Sequence, residues 1–469
     1  LYPGGSGHLS SHQDRKTCSN GLFGEPMNIL LLHTHDSGRF LQPYGYALET
    51  PHLKTLAERG TLFRQAFSVA PTCSPSRAGM LTGQYPHNCG MFGLAHRGFS
   101  LPDYHHHMAR YLTNFGYETV LCGIQHEAPN ADLLGYTKIL DGQAFDMGCI
   151  DFDSFAFDRE NAGLVCDYLK QPRDKPFFLS FGMYNTHRKW KKHEEDIDAR
   201  YVAPFPGVYN NAQNREDMAD YMSSVRFCDS LVGQVLQTLE EAGLREETMV
   251  IFTTDHGPAV PGMKCTLYDG GTGVALLLDY PGNPAKGRCV DDMVSHLDLF
   301  PTICDLCQIE KPDWLEGQSL LPLLKREGPF THRVLFSEVN YHAAYEPMRA
   351  ARSERYKYIR RFDERPGHIL SNIDNCPEKT FLYEYACLRD TDCSSEELYD
   401  LYADPMEKQN VAARPEYAQV REQMASSLLE WMQQTEDPLL SGAVEAPVGA
   451  RVNRRDDYCA EDLAVDTEE

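Results

Sequence analysis

Apolar residues along this chain fall in short solid runs, and several of these runs end on polar groups. Asn28–Thr34 is the first. It has the form of a strand buried on both faces that delivers its last residues, with His35-Asp36 behind them, to one edge of a sheet. The same form recurs three times. Residues 117–122 lead into Gly123-Ile124-Gln125-His126, residues 177–181 into Asn185-Thr186-His187, and residues 249–253 into Asp255-His256-Gly257. Helical periodicity lies between them, over residues 51–60 with Thr50 as cap and Leu53, Leu56 and Ala57 on one face, over 102–115, near 158–169 and over 215–242. Strands alternating with helices, with polar groups at the strand ends, predict an α/β domain over residues 27–330. Its sheet is expected to be mixed, mostly parallel, and covered by helices on both faces.

From about residue 331 the rhythm changes to short strands, at residues 333–337 and 356–361, followed by a helix over residues 416–434. This predicts a smaller α+β domain with an antiparallel sheet over residues 331–436. Residues 1–26 read as a polar extension, and residues 437–469 as an acidic tail that wraps the surface or stays loose.

Composition narrows the partners. Lysine and arginine number 44 against 68 acidic residues, a formal charge of -24, which argues against nucleic acid and anionic membrane. No apolar run approaches the roughly 20 residues of a membrane span. The 15 cysteines are an odd number without a disulfide-like spacing, and no Asn-x-Ser/Thr site occurs. Both features favour a bacterial cytoplasmic setting over a secreted or periplasmic one.

The densest chemistry is Cys73-Ser74-Pro75-Ser76-Arg77, followed by Leu81-Thr82-Gly83. Residues 76–81 look like the first turns of a helix, so Cys73 is expected near a helix N-terminus, which favours an anion. Arg77, four residues on, projects from the same face. His126, His187 and His256 would each, alone, more often be structural, but their recurrence at strand ends favours function. His105 to His107 read as surface residues, and Cys304 with Cys307 as core packing. Arg188, Lys189 and Trp190, cations around an aromatic beside His187, suit an anionic sugar, and Gln125 and His342 are assigned to substrate contact as well.

Cys73 to Gly83 satisfies the whole Cys-x-Pro-Ser-Arg-x-x-x-Leu-Thr-Gly pattern, and on these residues the chain resembles the sulfatase family of the alkaline phosphatase superfamily from residue 28 to about 438. Gly90-Met91-Phe92-Gly93-Leu94, Met348-Arg349 and Glu397-Leu398-Tyr399-Asp400 make it most similar to the heparan N-sulfatases, or sulfamidases. The resemblance implies that a formylglycine-generating or sulfatase-maturating enzyme oxidises Cys73 to formylglycine, whose hydrated aldehyde attacks sulfur. It implies a divalent metal, usually calcium, at Asp36, Asp255 and residue 73, with His35 and His256 at the flanking positions. Imidazole is softer than the carboxylate the family places at His35, so a transition metal is the alternative. Arg77 would hold the diol and sulfate, His126 would take the proton that triggers sulfate release, and His187 with Lys264 would protonate the leaving group. Ile124 stands where the family has lysine.

The substrate so implied is a sulfated saccharide, foremost N-sulfoglucosamine. The alternatives are a carbohydrate or aryl O-sulfatase, a phosphodiesterase or phosphonate monoester hydrolase, and a pseudoenzyme that binds sulfated glycans without turnover. A homodimer is compatible with each.

Overall fold

The computed structural model describes residues 27–140, 153–327, 332–364, 367–385, 387–389 and 391–462. The expected extension over residues 1–26 and the last residues of the acidic tail lie outside the described residues.

Nine strands form the large sheet: β1 (Asn28–Thr34), β2 (Thr61–Phe67), β3 (Glu118–Gly123), β4 (Lys138–Ile139), β5 (Phe177–Gly182), β6 (Thr248–Thr254), β7 (Gly273–Val274), β8 (Leu276–Asp279) and β9 (Arg288–Ser295). Their order is β4-β3-β5-β1-β6-β8-β2-β7, with β9 paired to β2. The stretch from β4 to β6 is wholly parallel, and β8 runs antiparallel to β6 and β2. Along β1, Leu30 and Leu32 enter the core beneath the helices Ser154–Leu169 and Ala212–Glu241, whereas Ile29 and Leu31 enter the opposite core with Met80, Leu81 and Phe300. An uninterrupted apolar strand is therefore needed to feed two layers at once.

This order matters for chemistry. Because β3, β5, β1 and β6 are neighbours and parallel, with Gly123 opposite Gly182 and Thr34 opposite Thr254, all four polar strand ends emerge on one edge.

The second sheet is antiparallel, in the order β10 (Val334–Tyr341), β11 (Tyr345–Ser353), β12 (Tyr356–Arg361) and β13 (Glu396–Asp400). The helix Ala418–Gln434 lays Leu428, Trp431 and Met432 on Ala351 and Tyr358.

Three local expectations change. The helix predicted over residues 102–115 shrinks to Met108–Thr113, preceded by the single 3-10 turn Tyr104–His106. His107, expected at the surface, is fully buried, and its Nδ1 accepts from the Ala109 amide as the N-cap. Thr50 holds the cap position of Pro51–Arg59, but its hydroxyl accepts from the Gln42 amide, and Asp229 of the long helix takes the free amides of His52 and Leu53 instead. The described tail wraps: Asn453 accepts from Arg97, and Arg451 donates to the His96 carbonyl. Cys304 is buried, and with Cys307 it joins the apolar cluster, as expected. No described helix is long and apolar enough to cross a membrane.

Candidate active site

Cys73 is the first residue of the helix Cys73–Thr82, all ten residues of which are buried. The two serines of its motif tie that helix to its surroundings. Ser74 Oγ accepts from the Ala95 amide at 3.0 Å, and Ser76 Oγ donates to the Asp255 carbonyl at 2.6 Å. Ser76 thereby joins the nucleophile's helix to the end of β6. Arg77 completes the join: its guanidinium donates to Asp255 Oδ2 at 3.1 Å and to His33 Nδ1 at 2.6 Å. Since arginine only donates, Nδ1 of His33 is the acceptor, and its Nε2–H donates to Ser180 Oγ at 3.1 Å.

The ends of β1 and β6 are stitched together. Asp255 Oδ1 accepts from the amides of Asp36 and His256 at 2.9 and 2.8 Å, and the Gly38 amide donates to the His256 carbonyl. Asp36 adopts a left-handed φ of 44°, a strained state for a non-glycine residue. Gly257 has no room for a side chain, because a Cβ there would lie 1.8 Å from the Gly270 carbonyl oxygen.

His35, Asp36, Cys73 and Asp255 each offer one ligand atom, and these four atoms lie within 4.8 Å of one another. Asp36 Oδ1 and both ring nitrogens of His35 are buried without a hydrogen-bond partner, although His35 Nδ1 is 3.0 Å from Asp255 Oδ2. Buried atoms left unsatisfied in this way, facing two carboxylates, fit a divalent cation. His256 is adjacent rather than part of the foursome, with Nε2 3.4 Å from both Cys73 Sγ and Asp36 Oδ1. Burial alone would lower its pKa, but Asp255 and Asp36 push it up to about 9. Burial would likewise raise the Cys73 thiol, yet Lys264, His256 and His126 carry it well below its ordinary value.

Three further residues expected in the site, His126, His187 and Lys264, lie close to this group. His126 shares a 2.7 Å hydrogen bond with His96 Nδ1, and burial lowers the pKa of both rings, His96 to about 2. His187 Nδ1 donates to the Arg188 carbonyl at 2.5 Å, leaving Nε2 to face the site 3.9 Å from Asp36 Oδ2. Lys264 Nζ donates to Asp36 Oδ2 at 2.8 Å and lies 3.3 Å from Asp374 Oδ2.

Of the residues expected to contact substrate, His342 is nearly buried at 9 % exposure, within electrostatic reach of Asp374. Gln125 is spent on its own turn, with Oε1 accepting from the Glu127 and Ala128 amides. Arg188 pairs bidentately with Asp217 and covers the Trp190 ring, whose Nε1 donates to the Thr186 carbonyl. These two side chains therefore brace the loop rather than present a cation and a ring to a ligand, and of the trio only Lys189 is exposed. Ile124 is fully buried.

His33, His96 and Asp374 escaped the sequence reading. His33 sits inside the apolar run of β1, where its place next to His35 was the only signal, and the other two lie in connecting segments with no strand end to mark them.

Comparison with known proteins gives two family matches: Sulfatase over residues 28–309, and N-sulphoglucosamine sulphohydrolase, C-terminal, over residues 263–384. The chain is 30% identical to human N-sulphoglucosamine sulphohydrolase over 88% of its own length and 91% of that protein. It is 26% identical to an ulvan-active sulfatase of Formosa agariphila, over 87% of this chain and 75% of that protein. A sulfatase-fold structure in complex with its substrate D-glucosamine-2-N,6-O-disulfate superposes with a TM-score of 0.67 at 18% identity, over 88% of this chain and 98% of that one.

Proposed function

The chain belongs to the sulfatase family, and we propose that within it the enzyme removes sulfate from a saccharide, with the sulfamate of N-sulfoglucosamine as leading substrate and O-sulfated sugars second. The observation that carries this reading is the convergence of Cys73, Arg77, His126, His187 and Lys264 around one pocket, together with the human relative's name. Oxidised to formylglycine by a maturation enzyme, position 73 supplies a diol oxygen as nucleophile. His35, Asp36, residue 73 and Asp255 would hold a divalent cation, which would supply positive charge toward the sulfuryl oxygens.

The chain's own residues do the rest. Arg77, fixed by His33 and Asp255, is a preset positive group for the sulfuryl oxygens. Lys264, whose ammonium is held charged by Asp36 and Asp374, is the proton donor for the departing nitrogen or oxygen, and His187, its pKa lowered by burial, faces the same position through Nε2. His126, neutral by burial and hydrogen-bonded to His96, accepts a proton from position 73. Calcium follows from the family resemblance, whereas the His35 imidazole favours a softer ion such as zinc. Metal analysis of purified enzyme decides between them.

A cytoplasmic setting and homodimeric assembly belong to the same proposal, to be checked by cell fractionation and light scattering. The central test offers formylglycine-containing enzyme N-sulfoglucosamine, an O-sulfated sugar, an aryl sulfate and a phosphonate monoester side by side. Preference for the phosphonate overturns the reading.

A further inference from the structure

Lys264 is held between two carboxylates of different kinds. Asp36 belongs to the buried foursome. Asp374 comes from the smaller domain, and its side chain is 19 % exposed where that of Lys264 is 2 % exposed. Asp374 is therefore the more exposed of the two carboxylates that flank the ammonium. Its charge is felt by His342 and His187 as well.

This position is firmly built. Asn372 Oδ1 accepts from the amides of Ala343 and Ala344, and its Nδ2 donates to Glu346, so the loop bearing Asp374 is locked to the turn bearing His342. From the other side, the Lys379 ammonium donates to the Ile373 carbonyl and to Asn375 Oδ1. A carboxylate fixed this way between two pinned neighbours is costly to keep in an enzyme for anionic substrates, since it repels them. Lys264 offsets part of that charge, but Asp374 Oδ2 is buried without a hydrogen-bond partner, which leaves it the capacity to take a further cation that arises beside it.

The two substrate types differ in that respect. Sulfamate hydrolysis breaks an S–N bond, leaves its electron pair on nitrogen and adds one water overall, so R–NH–SO3⁻ and H2O give R–NH3⁺ and SO4²⁻. An O-sulfate gives a neutral alcohol. We propose that Asp374 is the specificity-determining residue for nitrogen leaving groups: it receives the ammonium as it forms and at the same time orients Lys264. This rests on the proposed sulfatase function and deepens it to a class of bond.

The test compares Asp374→Asn and Asp374→Glu with the unaltered full-length enzyme, after peptide mass has verified equal conversion of Cys73. On N-sulfoglucosamine, Asp374→Asn is expected to lose about 10- to 100-fold, the range of a hydrogen bond to a charged group, and the loss falls on kcat. On an O-sulfated sugar, whose alcohol leaving group needs the same Lys264 proton, the loss is expected to stay within about 3-fold, and Asp374→Glu recovers most of the sulfamate activity. Equal losses on both substrates overturn the proposal and leave Asp374 only a support for Lys264. Calorimetric binding of glucosamine against glucose reads the same point without turnover. Unaltered enzyme prefers glucosamine and Asp374→Asn does not, whereas equal binding of the two sugars by unaltered enzyme also overturns it. Absence of turnover on every sulfated sugar removes the proposed function, and the calorimetry still decides for Asp374.

Discussion

Two clusters of buried charge stand in contrast in this molecule. One is the pocket of His35, Asp36 and Asp255 around Cys73, and the other joins His87, Glu338, Arg349 and Asp437 between the large domain, the small sheet and the tail. In both, the side chains are essentially sealed from water. In the second every carboxylate oxygen is used. Arg349 spans Asp437 at 2.5 and 2.9 Å and reaches Glu338 Oε2 at 3.2 Å, while His87 supplies its amide and Nδ1 to Glu338 at 2.7 and 2.6 Å. In the first, Asp36 Oδ1 and both nitrogens of His35 lack partners. The second cluster has an orphan as well, His87 Nε2, but no open carboxylate oxygen. A cluster whose carboxylates are all paired holds parts together, whereas one with an open carboxylate oxygen retains the capacity to bind a cation. Counting His, Asp and Glu does not separate the two. The guanidinium already seated between Glu338 and Asp437 does.

Four experiments sharpen or break this contrast. Cys73→Ala is expected to lower turnover by more than about 1,000-fold while the thermal midpoint stays unchanged, since a nucleophile is removed from a helix anchored by Ser74, Ser76 and Arg77. Arg349→Leu should do the opposite. It leaves Asp437 buried without its cation and Glu338 with His87 alone, costs about 3–5 kcal/mol in denaturant unfolding, and spares the activity of the molecules that remain folded.

Chelation separates the clusters next. Dialysis against a chelator should lower the unfolding free energy by about 3 kcal/mol for an ion present at roughly 100 times its Kd, and Asp36→Asn should abolish that sensitivity. If the Asp36→Asn enzyme stays as sensitive to chelation as the parent, the cation belongs elsewhere.

The smallest effect is on pH. Burial would lower the His87 pKa, but Glu338 raises it above the ordinary 6.5, with Asp437 adding and Arg349 opposing. A raised folded pKa means that this stabilisation is complete below about 6.5 and is lost as pH rises through the folded value. Unfolding curves across that window should therefore slope downward by up to about 1 kcal/mol per pH unit, and His87→Gln should flatten them.

Much of the pocket was legible because in a parallel sheet the buried strand and the chemistry at its end are adjacent in sequence. His35-Asp36, His126, His187 and Asp255-His256 each follow an apolar run directly, and the register of β3, β5, β1 and β6 brings them to one edge. Asp374 and His96 had no such marker, for they reach the pocket by packing of distant segments. Arg188 and Trp190 misled for the complementary reason: a cation beside an aromatic looks the same in sequence whether it awaits a ligand or braces a loop, and Asp217, which decides the matter, sits on another helix.

The burial of Cys73 also bears on the order of events during synthesis. A thiol only 2 % exposed inside a closed helix is out of reach of any modifying enzyme once the fold is complete. The chain delays that completion. Arg349 must wait for Asp437, 88 residues later, and Arg97, two residues after the Ala95 that clasps Ser74, must wait for Asn453, 356 residues later. At the roughly 5–20 residues per second of translation, the second interval leaves Cys73 accessible for tens of seconds after it leaves the ribosome. The late-arriving tail thus sets a clock, and the maturation enzyme proposed for Cys73 would have to act before it runs out.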